Sequence, residues 1–217
     1  MTVPRGVLAI VGATATGKSA LAVEAALRLG GEVISADAFT AYRGIDAGTA
    51  KPTLEERRGV PHHLIDLKEP TEAFSAGEFA RLARAAAREI LSRGKLPILC
   101  GGTGFYVRAF FEGLFVGPPR DERLREALRL VEARRGAPWL VRALTLLDPE
   151  SGARISQRDG ARAIRYLEIA VSTGRRPSEL FRERPGERWD GPSVKLLLTL
   201  PRPVLYGRIE RRFRDSI

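Results

Sequence analysis

The strongest constraint on what this chain can fold into sits near its start. Val7-Leu-Ala-Ile-Val11 is an apolar run of β character. Gly12-Ala-Thr-Ala-Thr-Gly17-Lys18-Ser19 follows and matches G-x-x-x-x-G-K-[ST], and Ala20-Leu-Ala-Val-Glu-Ala-Ala-Leu27 then reads as a helix. Gly12 and Gly17 permit the torsions of a tight turn. Thr14, Ala15 and Thr16 lie between them, so successive N–H groups and the helix N-terminus are directed at one anion. Lys18 adds a full positive charge, and Ser19 offers a hydroxyl to Mg²⁺. The motif has a strand before it and a helix after it, as a phosphate cradle requires. Whether the phosphates belong to ATP or to another diphosphate is left open by these eight residues.

The chain has 217 residues, 44% of them hydrophobic and 29% charged, which is the composition of a globular protein with a sizeable core. It contains no long apolar run of the kind that crosses a membrane, so no membrane association is expected. The opening residues lead straight towards the first strand, which leaves no expectation of a signal peptide. A single cysteine, Cys100, excludes an internal disulfide and fits a reducing cytoplasm; in an apolar strand its expected role is packing. The net charge is +10 and is unevenly spread: residues 116–217 hold 22 basic against 14 acidic side chains. Of the 36 basic residues 31 are Arg, a type suited to phosphate contacts. A basic second half points to nucleic acid, with a solvated Arg-rich surface as the plainer alternative.

Strand and helix patterns alternate over the first 115 residues. Strands are expected at 7–11, 32–36, 63–67 and 96–100, with helices from Lys18 to Leu29, Ser75 to Ser92 and Phe105 to Phe111. Ser75 and Glu78 have the spacing of a capping box. Strands separated by helices of this length imply a parallel sheet with crossover helices. The fold class is therefore α/β, a P-loop NTPase-like core over 1–115. Residues 116–192 read as a mainly helical, basic insertion, loop-like from Arg175 to Gly191, and 193–217 as a return to the core. The chain stops inside what reads as a helix, so a C-terminally truncated core is expected.

Several phosphate enzymes share such a core. A GTPase needs an Asn-containing base-recognition motif, and this chain has no Asn. A water-activating ATPase usually carries a strand ending in Asp-Glu, which is missing here too. A kinase of a small metabolite stays open, with Asp37, at the end of the second strand, facing the loop across the carboxyl edge of the sheet.

Two longer strings narrow the choice: Ser35-Ala-Asp-Ala-Phe-Thr-Ala-Tyr-Arg-Gly-Ile-Asp-Ala-Gly-Thr-Ala-Lys-Pro52, and Gly94-Lys-Leu-Pro-Ile-Leu-Cys-Gly-Gly-Thr-Gly-Phe-Tyr-Val-Arg-Ala-Phe-Phe-Glu-Gly-Leu114. With the P-loop and Val60-Pro-His-His-Leu-Ile-Asp66, the sequence closely resembles the tRNA dimethylallyltransferases (tRNA isopentenyltransferases). Asp159, Arg162, Arg165 and Glu168 match that family's Asp…Arg-x-x-Arg-x-x-Glu segment, and Arg208 to Phe213 its Arg-Ile-x-x-Arg-Phe.

The resemblance implies transfer of a dimethylallyl group from dimethylallyl diphosphate to the exocyclic amine of the adenosine 3′ of a tRNA anticodon. The P-loop would grip the donor's diphosphate, with Mg²⁺ at Ser19. Asp37 would accept the amine proton, Thr103 would hydrogen-bond the diphosphate, and Arg212 would help to bind it. Asp37, Ala38, Phe39, Thr40, Thr103, Arg162 and Arg165 would meet the tRNA anticodon stem-loop. Many family members carry Ser and Gln where this chain has Ala38 and Thr40. A cytoplasmic monomer is the expectation. Plainer readings stand beside these: Asp37 as a helix cap, Thr103 as a turn residue, Arg162 and Arg165 as partners of Glu168, Phe39 and Phe105 as packing, and His62 and His63 as structural or near the RNA. The competing functions are a small-metabolite kinase and an inactive, tRNA-binding fragment.

Overall fold

The computed structural model describes residues 5–46, 49, 51–183 and 186–215. The elements of its first half are β1 (Val7–Gly12), α1 (Lys18–Leu29), β2 (Gly31–Ser35), α2 (Leu54–Arg57), β3 (His62–His63), α3 (Ala76–Ser92), β4 (Leu96–Gly101) and α4 (Gly104–Glu112). A helical stretch follows, with α5 (Glu122–Arg135), α6 (Ala137–Leu147), α7 (Pro149–Ala153), α8 (Gly160–Thr173) and α9 (Pro177–Glu183). β5 (Ser193–Leu198) and α10 (Arg202–Asp215) complete the described chain. Two compact units result: Leu114–Gly186, and the residues on either side of it.

The first unit is built on a parallel five-stranded sheet in the order β3-β2-β4-β1-β5. β2 and β4 are close to continuously buried, as strands covered on both faces must be. On one face Ala22, Val23 and Ala26 of α1 pack on Ile10, Val33, Ile98 and Cys100. Cys100 is thus a packing residue, and burial pushes its thiol up to about 11. No helix of the described residues is long and apolar enough to cross a membrane.

The expected third strand, 63–67, is only His62–His63. Leu64 and Asp66 take left-handed torsions, φ 62° and 55°, which break the strand ladder. Asp66 turns to Lys51, 2.6 Å from its Nζ. Ser75 caps α3 by accepting from the Glu78 amide at 3.1 Å, while the Glu78 carboxylate lies 3.2 Å from Lys68 Nζ. A complete capping box occurs instead at Thr53 and Glu56, on the short α2.

The second unit begins two residues before the expected 116 and ends at Gly186, short of 192. Residues 187–192 stay with the sheet unit because Glu187 bonds Arg88 at 2.6 Å and Trp189 stacks on Phe110 at 5.3 Å between centroids. The expected loop from Arg175 to Gly191 contains α9, whose Ser178 donates from both amide and hydroxyl to the buried Asp148 carboxylate at 2.8 and 2.9 Å. Asp148 also accepts from the Ser151 amide, so one carboxylate caps both α7 and α9. The core of this unit is Leu140, Val141, Leu144, Ala163, Ile164 and Leu167.

A buried charge cluster ties α5 to α8. Glu168 is fully buried and accepts from Arg125 at 2.9 and 2.8 Å, from the Asp121 amide at 2.7 Å, and from Arg165. Burial alone would raise its pKa, but these donors outweigh it and bring it down to about 2. A depressed carboxylate stabilises the fold above its unfolded value of 4.5, and that contribution is lost as pH falls towards about 2. Urea unfolding followed by circular dichroism should show this acid-side loss, on the order of 3 kcal/mol. Glu168→Gln should flatten that slope and cost about 3 kcal/mol at neutral pH, because the half-buried guanidinium groups of Arg125 and Arg165 lose their counter-charge.

Candidate active site

The carboxyl ends of β1, β2 and β4 converge on the phosphate loop. Between β1 and α1 the chain takes φ 62° at Ala15 and φ 90° at Gly17, the left-handed steps of an anion-binding nest. Thr16 secures the loop by donating its hydroxyl to the Ala13 carbonyl at 2.8 Å, and Thr14 lies exposed at its tip. Gly12 is required by space as well: a Cβ there would meet the Leu198 carbonyl oxygen at 2.6 Å. Gly17, the α1 N-cap, supplies no side-chain cap, so the first-turn amides remain available to a ligand. Lys18 is a buried residue, 6% exposed, and its Nζ donates to the Ala13 carbonyl at 3.1 Å. Burial lowers its pKa, against the opposing pull of Cys100 and Asp37 and with the help of the Arg212 charge. It is a partly desolvated cation beside a ring of amides, which is what a polyphosphate neutralises.

Asp37 follows β2 and lines the same crevice as Lys18, Ser19 and Ser35. Its carboxylate accepts from the Phe39 amide at 2.9 Å, an Asx turn in place of the helix cap considered from the sequence. Thr103 follows β4, which is paired with β2. Its Oγ1 accepts from the Ala38 amide at 3.3 Å, which leaves the hydroxyl proton free to donate elsewhere. Gly101 and Gly102 make this approach possible. A Cβ on Gly101 would fall 2.1 Å from the Ala36 oxygen, and one on Gly102 would crowd the Gly12 oxygen at 3.1 Å. The structure therefore brings Asp37, Thr103 and the phosphate loop together at one edge of the sheet.

The other expected site residues divide. Arg212, on α10, donates to the Thr49 carbonyl at 2.7 Å and shares a groove with Ser19, Pro52 and Arg58. Thr40 is buried, with its hydroxyl 2.8 Å from Ser35 Oγ and donating to the Asp37 carbonyl at 3.3 Å, so that hydroxyl is engaged inside the chain. Phe39 is exposed. In the helical unit Arg162 is exposed and only 3.5 Å from Asp159. Arg165 is taken up by Glu168 and by the Pro118 carbonyl at 3.0 Å, the ion-paired alternative.

The sequence did not single out Ser35 or His62 as part of this crevice, yet both line it. Ser35 could have been found as the last residue of the strand that leads to Asp37, since the carboxyl ends of parallel strands border such crevices. His62 has Nδ1 2.8 Å from the Val60 carbonyl, and burial lowers its pKa. Its placement depends on β3 pairing with β2, which no local pattern announces. Among the described residues no group of three or more His, Cys, Asp or Glu could hold a metal ion.

The family model for IPP transferases matches residues 40–217. The chain belongs to the IPP transferase family. A tRNA dimethylallyltransferase of Anaeromyxobacter dehalogenans is 49% identical over 207 residues, covering 94% of this chain and 68% of its own length. Among solved structures, a tRNA isopentenylpyrophosphate transferase from Bacillus halodurans is 43% identical with a TM-score of 0.63. That match covers 98% of this chain and 66% of the Bacillus protein. A eukaryotic dimethylallyltransferase acting on tRNA is 29% identical with a TM-score of 0.82, over 98% of this chain and 53% of that one. The chain thus spans about two thirds of its bacterial relatives, and its P-loop NTPase-like α/β core with a helical insertion is the fold of this family.

The geometry at Lys18 sets a pH response. Binding a diphosphate requires the ammonium form, which burial disfavours. Affinity for inorganic pyrophosphate should therefore fall as pH rises into the range below the ordinary lysine value. Calorimetry above neutrality should register proton uptake on binding, and Lys18→Arg should abolish that uptake because guanidinium stays charged.

Proposed function

We propose that this chain transfers a dimethylallyl group from dimethylallyl diphosphate to the exocyclic amine of an adenosine 3′ of a tRNA anticodon. The observation that carries the reading is the placement of Asp37 and Lys18 in one crevice, with Thr103 hydrogen-bonded to the residue after Asp37. An anion cradle is thereby faced by a carboxylate and by a hydroxyl whose proton is free. Family membership supplies the substrate class.

The amine nitrogen attacks C1 of the donor, the C1–O bond to the diphosphate breaks, and pyrophosphate leaves with the bonding electrons. The amine proton passes to the Asp37 carboxylate, which offsets the weak nucleophilicity of an adenine amine. Lys18 and the amides of the loop from Gly12 to Ser19, including those of Thr14, Ala15, Thr16 and Gly17, spread the charge that develops on the leaving group. Thr103 donates to it, and Arg212 adds a cation from the far side of the groove. The adenosine is extruded from the RNA stack to reach this crevice, and Phe39 and Ala38 on the Asp37 loop border its entry.

Mg²⁺ fits as an ion carried in with the diphosphate. Ser19 offers a hydroxyl at the crevice, and a cation held chiefly by substrate oxygens and water needs no cluster of protein carboxylates. When bound, it supplies further charge neutralisation to the diphosphate. For tRNA contacts of the helical unit, the exposed Arg162 is the better assignment than Arg165.

Incubation with labelled dimethylallyl diphosphate, tRNA and Mg²⁺ should place label in tRNA without ATP. ATP consumption that depends on a small acceptor and ignores RNA would favour a kinase instead. Asp37→Asn should lower turnover by about 10²-fold or more while leaving tRNA affinity in place. An equal loss of both would remove Asp37 from the proton-accepting role.

A further inference from the structure

Phe105 is the second residue of α4, two positions after Thr103. The helix buries Tyr106, Ala109 and Phe110. Phe105 and Arg108 lie off that face, three residues apart and therefore adjacent on the helix surface. The Phe105 ring is 53% exposed, so core packing does not account for it. Arg108 sets its guanidinium 5.7 Å from the ring centroid, a cation–π pair on the surface. A second exposed ring, Phe39 at 63%, belongs to the Asp37 loop. The hydrogen bond from the Ala38 amide to Thr103 Oγ1 joins the loop that bears Phe39 to the N-cap of the helix that bears Phe105.

We propose that Phe105, backed by Arg108, is a stacking residue for the RNA base next to the target adenosine. It is a positioning residue, and the inference rests on the reading of the crevice as an RNA-prenylating site. Extruding one base from a single-stranded loop leaves the faces of its neighbours without a stacking partner. An exposed aromatic ring paired with Arg replaces that partner, because every base presents a π-face and a nearby phosphate that the guanidinium attracts. Placing such a ring on the Thr103 turn couples the register of the RNA to the group that faces the diphosphate.

The test uses the 217-residue chain and an anticodon stem-loop carrying 2-aminopurine 3′ to the target adenosine. Wild type should quench the probe on binding. Phe105→Ala should abolish the quench and raise the KM for the RNA by about tenfold, with the KM for dimethylallyl diphosphate within about twofold. Phe105→Tyr should restore both. Phe105→Ala with an unchanged quench and unchanged RNA KM would overturn the proposal and assign the exposed ring to a protein partner. Equal losses for RNA and donor, with a lowered melting temperature, would overturn it in favour of a structural role. Failure of the wild type to transfer label would sink the prenyl-transfer reading alone, since quenching is read without turnover, and absence of quenching by the wild type would overturn the stacking role.

Discussion

The close approach of two strand ends governs the site. The Ala36 amide donates to the Cys100 carbonyl at 2.8 Å, and the next residue, Gly101, passes so near Ala36 that no side chain fits. Gly102 then brushes Lys18, and Thr103 meets Ala38. Without that passage the Gly-Gly-Thr turn would stand clear of the Asp37 loop, and the phosphate loop would face solvent. The glycines thus serve packing at the point where three chain segments cross, and the chemistry depends on the crossing. Polar groups placed there are held by backbone bonds, which restrict their motion before any substrate arrives.

The helical unit is organised by different means. Its apolar core is modest, and the buried Glu168 joins α8 to α5 through Arg125 and to the Asp121 amide that precedes α5, with Arg165 of its own helix as a further partner. Such a cluster is costly to assemble in a low-dielectric interior, and it specifies one arrangement because removing any partner strands the others. Asp148 acts likewise on a smaller scale, capping two short helices that propensity alone would leave marginal. In this Arg-rich chain the arginines therefore divide by partner: some complete buried carboxylates, and others, such as Arg162, remain on the surface.

Much of the sheet unit was legible beforehand because its signals are local. The β-run, the glycines and the helix around Lys18 lie within a few turns of chain, and the strands at 7–12 and 96–101 read as short apolar segments. Asp37 stood out as a carboxylate at a strand end, and Thr103 was named through the resemblance to the tRNA dimethylallyltransferases. What was illegible depended on distant partners. β3 shortened because Asp66 is drawn to Lys51, and α9 formed inside an expected loop because Asp148, thirty residues away, caps it. Thr40 turned inward to Ser35, which its polar type does not announce. The Arg165–Glu168 pair, three residues apart on one helix, was among the sequence readings, but the burial of Glu168 against Arg125 was not. Phe105 shows the opposite error: an aromatic expected to pack is left outside, because α4 already fills its buried face with Tyr106 and Phe110.

By itself the sequence determined the form of an anion cradle between β1 and α1, because eight consecutive residues set the turn, the amides and the charge. Tertiary structure decided what the anion would face. The order β2-β4-β1 sets the ends of three strands side by side, and that order brings a carboxylate from residue 37 into the crevice of Lys18 and a hydroxyl from residue 103 against the loop that bears it. Strand order is a product of non-local pairing and of crossover geometry, neither of which is written in any short stretch of chain.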